Sequence, residues 1–430
     1  MHGKTKRGAL VVVGALLVAA CDLDMTDPNS PNEQDIITSA SGLKEVGRGL
    51  QAEWGDQIVD PVYLAELVTD GIGAIPAAFE SYRLVDAGQP ISNDLGPSTE
   101  TWAGMYDVVL VANTLLENVP DAPMTPGTKS GILAMANLFK AMAFGNLLQA
   151  YERIPLDVGL QNLNPEFASR QEGLQAVLQL LDAARQQIQT TPPSAEFNSD
   201  VKAPGFDLVN TIDAMIARYS LIAGDLTAAA AAAARVDLSV LSEYRFTATD
   251  RNQLWVMWYG SGNAYALRPE DRFRLEAEPG DKRVAHWVVE ASTTGSAGAL
   301  DNFARYASRE ASLPYYFPDE MRLIRAEVLA RQSDLEGALV LVNEVRTACS
   351  SPLNEPVACL PALTLAQVPT QEAMLDRILH EREYELYLQG LRWSDLRRFG
   401  EETKYEFMMV SELECERNVN TPRELCGITS

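Results

Sequence analysis

The chain has 430 residues, 59 acidic against 35 basic, for a formal net charge of −24. A surface this acidic repels phosphate backbones and anionic headgroups, which excludes nucleic-acid binding. At 47% hydrophobic and 22% charged the composition is that of a folded protein, with length for one large domain or two to three ordinary ones.

Lys4, Lys6 and Arg7 precede an apolar run from Ala9 to Ala20, too short to span a bilayer as a helix. A basic start, a short apolar core and small residues before a cut site describe a bacterial secretory signal over residues 1–20. The cut site, Val18-Ala19-Ala20-Cys21, resembles a lipobox, in which the cysteine receives a diacylglycerol and the signal is cleaved ahead of it. The competing reading is an ordinary signal with a chance cysteine. On the lipobox reading the mature protein starts at Cys21 and touches the membrane only through its acyl chains. Losing Lys4, Lys6 and Arg7, and no acid, takes the charge from −24 to −27. Residues 22–34 are acidic and turn-rich and read as a tether. Residues 35–430 read as one body with no second long apolar run.

In the body, helical patterns come in pairs. The first is expected at about 99–118 and 128–150, where Ile132, Met135, Leu138, Phe139 and Met142 share a face. The second is expected at 170–189 and 206–224, with a Leu174, Val177, Leu178, Leu181 and Ile188 stripe. A further helix follows through Ala228–Ala234. The third pair is expected at 319–332 and 334–347, with Asp334 as N-cap, and a last helix at 370–389 stops near Gly390. Units of this length predict a mainly α fold: tetratricopeptide-like helix pairs forming a superhelical scaffold with long irregular insertions. The irregular stretches are 55–98 and 236–317, rich in Gly, Pro, Asp, Ser and aromatics, and such stretches are commonly functional.

Beyond Cys21 four cysteines remain, Cys349, Cys359, Cys415 and Cys426. They allow three connectivities, and proximity favours Cys349–Cys359 and Cys415–Cys426. Zinc is disfavoured because no Cys-x-x-Cys or close histidine pair occurs. His286 and His380 are the only histidines after residue 20, and no nucleophile elbow, His-Glu-x-x-His or P-loop is present. Acidic pairs are too common here to mark a glycosidase dyad. No catalytic residue, metal or cofactor is assigned.

Three segments together resemble the SusD/RagB family of surface lipoproteins. One is the start, Cys21-Asp-Leu-Asp-Met-Thr-Asp-Pro-Asn. Another is Glu320-Met-Arg-Leu-Ile-Arg-Ala-Glu-Val-Leu-Ala330, followed by Asn343-Glu-Val-Arg346. The most specific is Ile378-Leu-His-Glu-Arg-Glu-Tyr-Glu-Leu-Tyr-Leu-Gln-Gly-Leu-Arg-Trp-Ser-Asp-Leu-Arg-Arg398, which departs from the family signature at Gln389 and Leu391. Tyr151-Glu-Arg-Ile-Pro-Leu156 is similar to the family's exit from an early helix. The likeness spans nearly the whole mature chain and is weakest across 236–317. It implies an outer-membrane lipoprotein at the cell surface that captures nutrients, usually glycans, and passes them to a SusC-like TonB-dependent transporter. Peptide capture and a non-catalytic envelope scaffold are the alternative functions.

Within the C-terminal signature, Leu375, Ile378, Leu379 and Leu386 form an apolar stripe with Arg382 in its gap. A buried arginine needs a partner; Glu385 stands three residues on, and Arg392 and Asp395 have the same spacing. The four are expected to form a structural ionic motif. Ligand contacts are expected where flat aromatic rings meet hydrogen-bonding groups. Trp255 leads, with Trp258, Tyr259 and Asn263 beside it and Asp70 in the other irregular stretch; Trp102 is expected in the core.

Overall fold

The computed structural model describes residues 33–427 except 95, 160, 260–266 and 296–297. The lipidation site Cys21, the signal and most of the tether lie outside the described residues. The body is mainly helical. α1 (Ala40–Gln57) and α2 (Val59–Val68) lead into α3 (Pro97–Asn118) and α4 (Pro126–Ala150). α5 (Arg170–Thr190), α6 (Leu208–Ala223) and α7 (Leu226–Ala233) follow. α8 (Pro318–Arg331), α9 (Leu335–Thr347), α10 (Gln371–Glu385) and α11 (Arg392–Phe399) complete the principal helices.

Neighbours in sequence are neighbours in space from α3 through α7. The superhelix then continues from α7 directly onto α8, with 236–317 looped out as an insertion. Local chemistry sets the boundaries. Ser169 and Glu172 form a reciprocal capping box at the start of α5. Gly224 adopts a left-handed conformation at φ 85° to end α6, and Asp225 at once caps α7 through the Ala228 amide at 2.9 Å. Asp334 caps α9 through Gly337, also at 2.9 Å.

Three expectations change. The stretch 55–98 is not irregular throughout, because α1 runs into it and α2 lies within it. Every side chain of α2 except Asp60 is buried, so it has no polar face and leaves no periodic signal. α4 is a second long apolar segment, apolar enough by composition to cross a membrane, but most of it is buried in the protein core. α10 ends at Glu385, short of the expected 389. Leu388 turns to φ 59° and Gly390 to φ 68°. The Leu388 amide donates to Glu66 Oε1 at 2.9 Å and the Tyr387 hydroxyl to the Gly71 carbonyl at 2.7 Å. Contacts to the N-terminal region, not local propensity, stop this helix.

Within 236–317 short helical turns alternate with a β-hairpin, Val288–Gly295 with Gly298–Phe303. Strand Ile72–Ala74 pairs antiparallel with Leu267–Pro269, joining the two stretches that looked irregular. Cys349 bonds Cys359 and Cys415 bonds Cys426.

Candidate functional site

The charged C-terminal motif lies in the interior. Arg382 donates to both oxygens of Asp395, at 2.8 and 3.0 Å. Its expected partner Glu385 instead lies 3.6 Å from Arg283. Arg283 is fully buried and pairs with Asp281 and Glu381, both at 2.7 Å. Arg392 pairs with Glu383 at 3.0 Å rather than with Asp395, which takes Arg398 at 2.7 Å. Three-residue spacing misleads here because α11 folds back beside α10 and brings groups thirteen positions apart into contact. Burial pushes the Asp395 carboxyl up, but Arg382 and Arg398 outweigh it and hold it below its ordinary value. Burial, reinforced by Asp319, pushes the Glu385 carboxyl well above its ordinary value, which favours its neutral form. The cavities against these groups are about 10 Å³, room for one water and for no ligand.

His286 is held against a cation. Burial and then Arg305 push its pKa down to about 4, with Arg305 Nη1 3.0 Å from Nε2. The four cysteines are consumed in the two disulfides, which leaves them no thiolate for a metal.

The turn Gln253–Tyr259 sends its aromatic rings in different directions. Trp258 is 2% exposed and stacks on Phe303 at 3.5 Å. It is a core residue, which removes it from the ligand candidates. Tyr259 is half-buried and its hydroxyl donates to the Phe303 carbonyl. Trp255 stays partly exposed, with the exposed Arg309 guanidinium 5.3 Å from its ring centroid. Asn263 falls outside the described residues. Asp70 is exposed, at φ 56°. Its carboxylate lies 2.7 Å from Lys404, and Arg272 donates to its carbonyl at 2.9 Å, so its partners are cations rather than the aromatic group. Trp102 is 6% exposed, edge-on to Tyr151 at 4.8 Å.

Sequence reasoning missed a cleft of about 660 Å³ between α3, the loop 155–165 and the segment 411–418. Its only local signal is a leucine in each of two polar stretches, Leu163 and Leu413.

A model described as "SusD family" matches residues 301–424. No curated protein matches the chain. Among solved structures, a SusD-like carbohydrate-binding protein from Bacteroides vulgatus is 16% identical, with TM-score 0.66 over 84% of this chain and 83% of that one. A SusD superfamily protein from Bacteroides fragilis is 17% identical, with TM-score 0.68 over 90% and 99%. NanU of B. fragilis is 16% identical, with TM-score 0.64 over 92% and 98%. Residues 301–424 thus match the SusD family model, and the helical fold of the chain is shared with SusD-like structures along most of its length.

Proposed function

We propose that the protein is a lipid-anchored, non-catalytic capture protein. It binds oligosaccharide on the surface around Trp255 and delivers it to a SusC-like TonB-dependent transporter in the outer membrane. The observation that carries the ligand assignment is the pairing of a partly exposed indole with an exposed guanidinium, Trp255 with Arg309. A sugar ring offers a flat C–H face to the indole and hydroxyls to the guanidinium donors. The description of one matching structure as carbohydrate-binding supports the same ligand class. A protein that must release its cargo binds modestly, in the micromolar to millimolar range, about −4 to −8 kcal/mol.

Calorimetry of the body starting after Cys21, against a panel of oligosaccharides and peptides, tests this reading. Oligosaccharide should bind, and Trp255→Ala should weaken it at least tenfold without lowering the melting temperature. Binding to peptides alone, or a Trp255→Ala protein that binds oligosaccharide like wild type, would refute it.

A further inference from the structure

The 660 Å³ cleft is preformed and its walls are tied. Tyr106 donates its hydroxyl to the Pro155 carbonyl at 2.9 Å, holding the loop 155–165 against α3. Asn418 donates to the Pro165 carbonyl at 2.9 Å and Asn164 accepts from the Val419 amide at 2.9 Å, fixing the same loop to the C-terminal segment. The Cys415–Cys426 disulfide closes that segment on itself. Two leucines of the lining stay open to solvent, Leu163 at 76% and Leu413 at 53% exposed. Other large apolar side chains are exposed elsewhere, Phe79 and Leu275 among them, but two leucines open on one concave surface mark a place that something covers.

Charge narrows what that something is. Five carboxylates line the cleft, Asp94, Asp107, Glu412, Glu414 and Glu416, against Arg417 alone. The chain as a whole has 59 acids to 35 bases, so this ratio exceeds the general acidity. Asp94, Asp107, Glu412 and Glu416 are exposed and form no ion pair among the described residues. Trp102 on the floor is covered by Tyr151 and Phe167 and offers little ring face to a sugar. The cleft's volume suits a short ligand, and its concavity does not suit a folded protein surface.

We propose that this cleft binds a short, extended peptide carrying lysine or arginine beside apolar side chains. The apolar side chains cover Leu163 and Leu413 while the cationic groups meet the ring of carboxylates. This site is separate from the surface around Trp255.

The probes are dye-labelled Lys-Leu-Lys-Leu-Lys and its counterpart Glu-Leu-Glu-Leu-Glu, titrated by fluorescence anisotropy against the body starting after Cys21. The basic peptide should bind, more weakly as salt rises, and the acidic one should not. Combined Asp107→Asn, Glu412→Gln and Glu416→Gln changes should weaken binding at least tenfold. Ala103→Trp, at an exposed alanine on the α3 wall, fills the cleft without changing charge and should weaken it equally. Trp255→Ala should leave it unchanged. Loss in the charge variant but not in Ala103→Trp would reduce the effect to general electrostatics and overturn the site. So would equal binding of both peptides, or no binding at millimolar peptide. Loss of oligosaccharide binding in Ala103→Trp would overturn it too, by making the cleft a sugar site.

Discussion

Arg382 and Asp395 bring opposite charges into an apolar interior, and each offsets the desolvation of the other. Arg382→Ala leaves Asp395 buried with Arg398 as its remaining partner. The cost should therefore fall at the low end of the range for a broken buried pair, about 3 kcal/mol. Denaturant unfolding measures it, and an unchanged midpoint with lost ligand binding would show the motif to be a site instead. Glu66 works through a proton. Burial, helped by Glu383 and opposed by Arg392 and Arg272, pushes its carboxyl up to about 8. The folded state thus holds a proton that the unfolded chain releases near 4.5. The stabilisation is complete below the unfolded value and is lost as pH rises through the folded one. Stability should fall between pH 5 and 8 by up to about 1.4 kcal/mol per pH unit from this group. Glu66→Gln keeps an acceptor for the Leu388 amide and should flatten that slope. A variant with the wild-type pH profile would count against the assignment.

At the level of elements, helix contacts are set by glycines as much as by large side chains. A Cβ on Gly145 of α4 would sit 2.2 Å from the ring of Tyr219 on α6, which is buried and has no room to retreat. Alanine gains up to about 1 kcal/mol in helix propensity, but overpacking costs about 1–3 kcal/mol. Gly145→Ala should therefore lower the melting temperature. Gly49→Ala, on an exposed turn of α1 with nothing near its Cβ position, should hold or raise it, and the reverse order would disprove the close-approach account. The same packing explains what the residues announced and what they hid. α3 through α9 were legible from apolar stripes, an alanine run and Asp334. α2 was not, because burial on every side removes the stripe. The end of α10 was not, because Glu66 and Gly71 set it from more than 300 positions away. Trp255 and Trp258 stand in one aromatic run, and distant rings, Phe303, Tyr63 and Tyr306, decide which of them turns inward. The cleft was invisible because its walls come from residues near 100, 160 and 415.

For the whole molecule, the proposed lipid anchor places membrane attachment on Cys21. The body's own long apolar segment, α4, is buried in the core and has little surface to offer lipid. With residues 1–20 replaced by a signal for non-lipidated export, Cys21→Ala should yield protein in the soluble fraction after ultracentrifugation. Continued sedimentation with membranes would mean a second attachment. The two ends of the body are also stitched together. Leu388 supplies the amide for Glu66, Lys404 reaches Asp70 and Asp86, and Asn93 donates to the Val410 carbonyl. A nascent chain emerging N-terminus first cannot complete these contacts until nearly its last residues arrive. A product that stops before Leu388 lacks all of these contacts and should be more sensitive to protease than the whole chain.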